Sequence, residues 1–231
     1  MIQRIQHLVL TTGNDSKRDE MEPEVRDCNV LVHTFKSLGF TMPDVDECGL
    51  TFIANGIIKG RWCAEVFKDE LRSRLGDGVV LAAEDSGAIV DALRVPGLEE
   101  APGVRSKRWF AEGLPEKDGD ALRNRELLRR LQGVANDQRY GRYVAALVVV
   151  SLDGTLLYSA TGECRLWVPY EVEPGPNGFG YDEVCRPVLP DGSISERSFA
   201  RLTPPEKAAL SHRGKACRKL RGWLLAQNPT L

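Results

Sequence analysis

Residues 80–93 read VLAAEDSGAIVDAL, so that two adjacent carboxylates, Glu84 and Asp85, stand between two apolar runs. The first run predicts a short buried strand over 79–83, because a brief apolar run bounded by turn residues is typical of a strand inside a sheet. Ser86 and Gly87 then predict a turn. One carboxylate at the end of a strand is often a turn residue or a helix cap, whereas two together are also a candidate metal site.

Apolar spacing divides the rest of the chain into strands and helices. The predicted elements are a strand over 5–12, a helix over 24–38 with Pro23 in its first turn, a helix over 55–75 ended by Gly76, a helix over 120–134, and a hairpin of strands 143–152 and 155–168 around Asp153-Gly154. A last helix is capped by Thr203 and begins at Pro204, is interrupted at Gly214 and continues as a basic helix. This order predicts one α/β domain with a mixed sheet.

Composition limits the classes of function. The chain has 231 residues, 42% of them hydrophobic and 28% charged, with a formal net charge of -2, which is typical of a soluble globular protein. That charge gives no overall attraction to nucleic acid or to an anionic membrane. No apolar stretch approaches the roughly 20 residues that span a bilayer, and the N-terminal residues lack the pattern of a secretory signal. Six dispersed cysteines without a CxxC pair predict reduced packing thiols in a cytoplasmic protein.

Two polar segments in the N-terminal part could bind phosphate and metal. The segment TTGNDSK (residues 11–17) follows a strand and ends at Lys17, so its loop either cradles a phosphate or is a surface turn. Its spacing is not that of a Walker A loop. Glu47 precedes the helix that carries Lys59, where a carboxylate commonly interacts with the helix dipole. Together with Glu84 and Asp85, however, it supplies the hard oxygen ligands that Mg²⁺ prefers.

Two segments in the C-terminal part could bind a base. Glycines on both sides of Phe179 leave its ring either exposed for stacking or packed inward, and Asp182 nearby could accept hydrogen bonds from a base edge. Lys207, His212 and Arg213 either donate to a ligand carbonyl or belong to a solvated basic helix end. A Ser211–His212 nucleophilic pair is disfavoured, because adjacent helical residues point apart and no GxSxG elbow is present.

The order of these motifs resembles the inosine-triphosphate pyrophosphatase family. The motifs are, in order, TTGNDSK, GLTFIANGIIKGRWCAE, LAAEDSGAIVDAL, APGVRSKRW, NGFGYDE and LTPPEKAALSHRGKA, and they extend from about Leu8 to Leu220. The resemblance implies a two-lobed α/β fold with a long central mixed β-sheet flanked by helices, formed by residues 1–231 as a single domain and usually paired as a homodimer. It also implies Mg²⁺-dependent hydrolysis of deaminated purine nucleoside triphosphates (ITP, dITP and XTP) to the monophosphate and pyrophosphate.

The resemblance also implies roles for individual residues. Glu47, Asp85 and Lys17 match catalytic positions, with Asp85 as the base that prepares the attacking water. Glu47 and Asp85 match metal ligands, with Glu84 beside them as a third candidate. The substrate-binding positions are Thr12, Asn14, Lys17 and Lys59 near the phosphates, Ser86 after the acids, Phe179 and Asp182 at the base, and Lys207, His212 and Arg213 at its 6-keto group.

Three residues depart from the family pattern. Ala54 stands where an acidic residue is common, Glu183 where proline is common, and Arg201 where a glutamate is usual. These departures leave open a pyrophosphatase of the same fold that acts on another modified nucleotide in a biosynthetic pathway. The basic C-terminal segment and RSKRW (residues 105–109) also leave open a non-catalytic protein that binds nucleotides or nucleic acid. The acidic cluster argues against nucleic acid, because it would repel a phosphate backbone.

Overall fold

The computed structural model describes residues 4–12, 15–42, 45–94, 100–110 and 116–229. The strands are β1 (His7–Leu10), β2 (Leu31–Thr34), β3 (Val79–Val90), β4 (Tyr140–Ser151), β5 (Leu156–Trp167) and β6 (Arg186–Pro187). The helices are α1 (Asp15–Val25), α2 (Phe52–Leu75), α3 (Glu116–Arg130), α4 (Pro204–Leu210) and α5 (His212–Gln227).

These strands form one mixed sheet in the order β2-β1-β3-β4-β5-β6. Strand β1 runs parallel to both neighbours, with His7 opposite Leu31 in β2 and opposite Val79 in β3. Strand β6 runs antiparallel to β5. The α/β fold with a mixed sheet and flanking helices is therefore confirmed. None of the helices in the described ranges is long and apolar enough to cross a bilayer.

The chain divides into two compact units. The first consists of Met1–Asp85, Ala145–Gly162 and Arg213–Leu231, and the second of Ser86–Val144 and Glu163–His212. In the first unit, successive residues of β3 alternate between two cores: Val80 and Ala82 pack with α1 and α5, whereas Val79 and Leu81 pack in the cluster that includes Cys63 of α2. This alternation is the ordinary period of a strand, and it shows that both faces of the sheet are covered in this unit.

Helix α2 packs closely on the sheet in the first unit. A Cβ atom added at Gly56 would lie 2.8 Å from Cγ2 of Val148 in β4, so only glycine allows this approach. The helix begins after Thr51, whose hydroxyl accepts a hydrogen bond from the N–H of Ala54 (3.1 Å), and it ends at Leu75 before Gly76. The predicted helix over 55–75 is therefore confirmed, with one more turn at its start.

The predicted end of a strand after residue 83 is wrong. Strand β3 continues to Val90, and Ser86-Gly87 lies within it instead of forming a turn. A Cβ atom at Gly87 would lie 2.3 Å from Oγ of Ser106, so glycine is needed here for close packing inside the second unit. Two buried acids continue the strand because each has polar partners, which are described below.

The predicted helix over 24–38 is also wrong. Helix α1 ends at Val25 after carrying Pro23 in its last turns, and a 3₁₀ turn leads to Asn29 in the left-handed conformation (φ 53°). That conformation ends the helix and directs the chain into β2. The apolar spacing misled because it combined residues of two cores: Val25 and Cys28 belong to one, and Phe35 belongs to the other.

The C-terminal helix begins as predicted but breaks three residues earlier. Thr203 and Glu206 form a capping box at the start of α4, which begins at Pro204. The break falls at Ser211, whose backbone is extended (φ -69°, ψ 157°), and Gly214 lies inside α5. The hairpin of β4 and β5 around Asp153-Gly154 is confirmed, with Ser151 and Thr155 joined by a backbone hydrogen bond of 3.0 Å.

Candidate active site

The two adjacent acids of β3 take part in different networks of the first unit. Neighbouring residues of a strand point to opposite faces of the sheet. Glu84 therefore follows Val80 and Ala82 to the face covered by α1 and α5, whereas Asp85 follows Val79 and Leu81 to the face covered by α2. Both acids are buried, with 6% and 9% of their surfaces exposed.

Glu84 lies between two cations. Its Oε2 is 2.7 Å from Nζ of Lys17 in α1, and its Oε1 accepts a hydrogen bond of 2.8 Å from Nε of Arg213 in α5. Arg213 also donates to Glu20. Burial alone would raise the pKa of Glu84, but the charges of Arg213 and Lys17 outweigh burial and hold that pKa well below its ordinary value. Glu84 is therefore an ionised anchor that orients Lys17.

Asp85 has an amide among its partners. The side chain of Asn55 in the first turn of α2 donates to Oδ2 of Asp85 (2.9 Å). Burial raises the pKa of Asp85 to about 6, opposed by the hydrogen bond from Asn55 and assisted by the negative charge of Glu47. A carboxyl group with such a pKa is suited to exchange a proton near neutral pH.

Glu47 and Lys59 form an ion pair beside this group, with about one fifth of each side chain exposed. Glu47 lies in the segment before α2, and Lys59 lies two turns into that helix. The pair and Asp85 belong to the same unit as Lys17 and Thr12, which follows β1 and is half-buried. Asn14 lies outside the described residues.

The residues around Asp85 fit a divalent cation. Asp85 feels the charge of Glu47, so a cation would relieve the repulsion between two carboxylates, and carboxylate oxygens are the donors that Mg²⁺ prefers. The described residues contain no cluster of three or more metal-binding side chains. This sparse set still suits Mg²⁺, which is usually held by one or two carboxylates together with waters and substrate phosphates.

The second unit holds the candidate base-binding residues. Asp182 is buried, and its Oδ2 accepts hydrogen bonds from the backbone N–H of Phe179 (3.1 Å) and from Nζ of Lys207 (2.9 Å). That Nζ also lies 4.4 Å from the centre of the half-buried Phe179 ring. One buried ion pair thus fixes both the Gly-rich turn and a cation at the ring face.

The second unit also contains the candidate residues His212 and Ser86. The imidazole of His212, the first residue of α5, stacks on the ring of Tyr143 with centroids 4.8 Å apart. Ser86 follows Asp85 in β3 and is half-buried. Arg213, which the sequence grouped with His212, belongs instead to the first unit and to the Glu84 network.

Sequence reasoning missed Asn55. A signal was available, because Asn55 lies on the same helical face as Phe52, Lys59 and Cys63, and a polar residue on a buried face needs a partner. The partner could not be identified without the fold, since Asp85 lies 30 residues further along the chain.

Comparison with known proteins agrees with the predicted family. A sequence model of the Ham1 family matches residues 8–223. The chain is 34% identical to a dITP/XTP pyrophosphatase of Haemophilus influenzae, over 95% of this chain and 99% of that protein, and 33% identical to one of Anaeromyxobacter sp. (strain Fw109-5), over 94% and 96%. Its structure is similar to a HAM1 protein from Coxiella burnetii, with a TM-score of 0.73, 29% identity, and coverage of 96% of this chain and 100% of that chain. The chain therefore belongs to the Ham1 family.

Proposed function

We propose that this protein is a Mg²⁺-dependent pyrophosphatase that hydrolyses dITP, ITP and XTP to the monophosphate and pyrophosphate. The names of the relatives from Haemophilus influenzae and Anaeromyxobacter support the substrate class. The observation that carries the proposal is the group around Asp85, in which a buried carboxyl with a raised pKa stands near Glu47 and the two lysines at positions 17 and 59.

The proposed reaction is attack by water on the α-phosphorus, with the β- and γ-phosphates leaving as pyrophosphate. Asp85 accepts the proton of the attacking water. Lys17 and Lys59 lie in the same unit and balance the charge that grows on the leaving group, Lys17 being oriented by Glu84. A bound Mg²⁺ ion, held by Glu47 and Asp85, would add further charge neutralisation at the phosphate oxygens.

The proposed basis for choosing the base is hydrogen-bond donation to O6. Lys207 and His212 of the second unit supply donors, and Phe179 supplies a ring for stacking. Adenine carries an amino group at this position, which would leave those donors unpaired, and a buried unpaired donor costs roughly 1–3 kcal/mol. Asp182 contributes by fixing Lys207 and the turn of Phe179.

Arg213 and Glu84 receive a different role in this proposal from the one that the resemblance implied. Arg213 is 2% exposed and donates to two carboxylates, and Glu84 is neutralised by two cations. Neither arrangement favours contact with a base or a metal. Both side chains are proposed to hold Lys17 in position for the phosphates.

Homodimer formation in the cytoplasm is proposed on the family resemblance. Light scattering at micromolar concentration tests the assembly: a mass near twice 25.6 kDa supports the dimer, and a mass near 25.6 kDa contradicts it.

A panel of nucleoside triphosphates tests the proposed substrate class. Pyrophosphate release is measured with Mg²⁺ for ITP, dITP, XTP, GTP, ATP and the pyrimidine triphosphates. The expected result is that kcat/KM for ITP and XTP exceeds that for ATP by at least about a hundredfold. Turnover of ITP and XTP no faster than ATP would contradict the proposal and would favour the alternative in which another modified nucleotide is the substrate.

A further inference from the structure

Asn55 joins two segments that carry the candidate metal ligands. Its Nδ2 donates to Oδ2 of Asp85 in β3 (2.9 Å), and its Oδ1 accepts from the backbone N–H of Gly49 (2.7 Å). Gly49 lies two residues after Glu47. A single amide therefore spans from the strand that carries Asp85 to the segment that carries Glu47.

This bridge is rigid at both ends. Asn55 is 1% exposed and lies in the first turn of α2, which Thr51 caps. A Cβ atom at Gly49 would lie 2.6 Å from Oδ1 of Asn55, so the backbone of the segment approaches the amide as closely as glycine permits. A buried amide with a donor and an acceptor both in use resists rotation, because a flip would place like groups against each other.

Aspartate, glutamate or alanine at position 55 could not make the same bridge. The bridge requires a donor toward a carboxylate and an acceptor toward a backbone N–H within one short side chain, and asparagine provides both. Truncation would leave the half-buried N–H of Gly49 and one buried oxygen of Asp85 without this partner.

We propose that Asn55 is a positioning residue, which fixes the spacing between Asp85 and the Glu47 segment so that both carboxylates reach one divalent cation. The inference rests on the proposed function for the identity of the cation site. It goes further by assigning the geometry of that site to a residue that touches neither metal nor substrate. Residues that orient metal ligands commonly contribute a factor of roughly 10 to 100 in metal affinity or activity.

The alternative is that Asn55 only stabilises the start of α2. Thr51→Ala is the matched control, because it removes the cap of the same helix and leaves the bridge intact. Asn55→Ala removes the bridge, and Gly49→Ala disturbs it from its other end. Circular dichroism confirms folding of each variant.

The test measures Mn²⁺ binding without nucleotide, by the electron paramagnetic resonance signal of free Mn²⁺, and the Mg²⁺ concentration that half-saturates pyrophosphate release. Asn55→Ala and Gly49→Ala are expected to weaken Mn²⁺ binding about tenfold or more and to raise the half-saturating Mg²⁺ concentration similarly, with KM for ITP nearly unchanged. Thr51→Ala is expected to leave both quantities within about twofold of the unaltered protein.

Two results would overturn the inference: Mn²⁺ affinity within twofold of the unaltered protein in a folded Asn55→Ala or Gly49→Ala variant, or the same loss in Thr51→Ala. Absence of pyrophosphate release from every triphosphate by the unaltered protein would instead refute the proposed function. The Mn²⁺ comparison separates these failures, because it needs no turnover.

Discussion

At the scale of single residues, strand alternation decides what the adjacent acids at positions 84 and 85 do. Glu84 meets Lys17 and Arg213, whereas Asp85 meets Asn55 and feels Glu47. A carboxyl group thus serves as an ionised anchor at one position and, with a pKa of about 6, as a candidate base at the next. Burial raises the pKa of both acids. At Glu84 the charges of Arg213 and Lys17 outweigh burial, whereas at Asp85 burial outweighs the hydrogen bond from Asn55 and the charges of the two lysines at positions 59 and 17.

Asp85→Asn tests the catalytic role. The change preserves size and still allows a hydrogen bond with Asn55 after amide rotation, but it removes the proton acceptor and one negative charge. We expect kcat for ITP to fall by about a hundredfold or more, with circular dichroism and thermal midpoint close to those of the unaltered protein. A folded variant with turnover within a few-fold of the unaltered protein would remove Asp85 from the mechanism.

The reactivity of the cysteines tests which side chains are buried. Five of the six are buried, and Cys48 is exposed next to Glu47. Burial raises the pKa of Cys28 to about 11 and those of Cys63 and Cys217 to about 12, and only the thiolate reacts readily.

We expect a maleimide at pH 7.5 to label one thiol per native chain, and labelling to disappear in Cys48→Ser. Mass spectrometry counts the adducts, with the denatured chain as the control that accepts up to six. Rapid native labelling of two or more thiols would contradict the described burial.

At the scale of elements, local sequence signals predicted the starts and ends of helices better than apolar spacing did. Gly76 correctly predicted the end of α2, and Thr203 with Pro204 predicted the start of α4, whereas apolar spacing placed the start of α2 one turn too late, at residue 55. Apolar spacing alone failed over 24–38, where the end of α1 and strand β2 pack on one core and the residues after β2, including Phe35, pack on the other. Glycine was also an ambiguous signal. Gly87 and Gly214 were interpreted as breaks, but they lie inside a strand and a helix.

Ala54 gives a prediction about one of these helix starts. It occupies the third position of α2, and its N–H already donates to the hydroxyl of Thr51. A glutamate there would complete a capping box and place a negative charge near the helix N-terminus. We expect Ala54→Glu to stabilise the protein by about 0.5–1 kcal/mol and to raise the thermal midpoint by roughly 2 °C.

Calorimetry of Ala54→Glu and the uncharged control Ala54→Gln measures this effect. An unchanged or lower thermal midpoint in Ala54→Glu would show that the acidic residue common in the family at this position does not stabilise the start of the helix. A gain in Mn²⁺ affinity would instead support the interpretation that this acidic residue binds the metal or lies beside the residues that bind it.

A pair of histidines at the edge of the sheet predicts how the stability of the fold depends on pH. Nδ1 of His7 in β1 lies 3.0 Å from Nε2 of His33 in the edge strand β2. Burial lowers the pKa of both residues, and for His33 the neighbouring His7 lowers it further. The unfolded chain therefore binds protons more readily than the folded one, so the contribution to stability is complete above the ordinary histidine pKa of 6.5 and is lost as pH falls through the lowered values.

His33→Gln should remove part of this dependence. We expect the free energy of unfolding, measured by urea denaturation, to fall less between pH 8 and pH 5 in His33→Gln than in the unaltered protein. His212→Gln serves as a comparison elsewhere in the chain. An identical pH dependence in His33→Gln and the unaltered protein would show that the pair does not titrate on unfolding.

At the scale of the whole molecule, the order of motifs predicted the family and the mixed sheet, and both are confirmed. The resemblance implied two lobes, but the boundaries of the two units were beyond the sequence patterns, because β3, β4 and β5 each pass from one unit to the other without a linker. The partners of Asn55 and Arg213 were also hidden, since those contacts join residues 30 and 129 positions apart in the chain. Residue types at motif positions were informative, whereas their mutual arrangement depended on the fold.

The proposed function depends on attack by water at the α-phosphorus of a 6-keto purine triphosphate. It is tested most directly by hydrolysing ITP in ¹⁸O-labelled water with Mg²⁺ and analysing the products by ³¹P nuclear magnetic resonance. We expect equal amounts of IMP and pyrophosphate, one ¹⁸O atom on the phosphate of IMP, and none in pyrophosphate. Label in pyrophosphate, or release of inorganic phosphate with IDP, would contradict it.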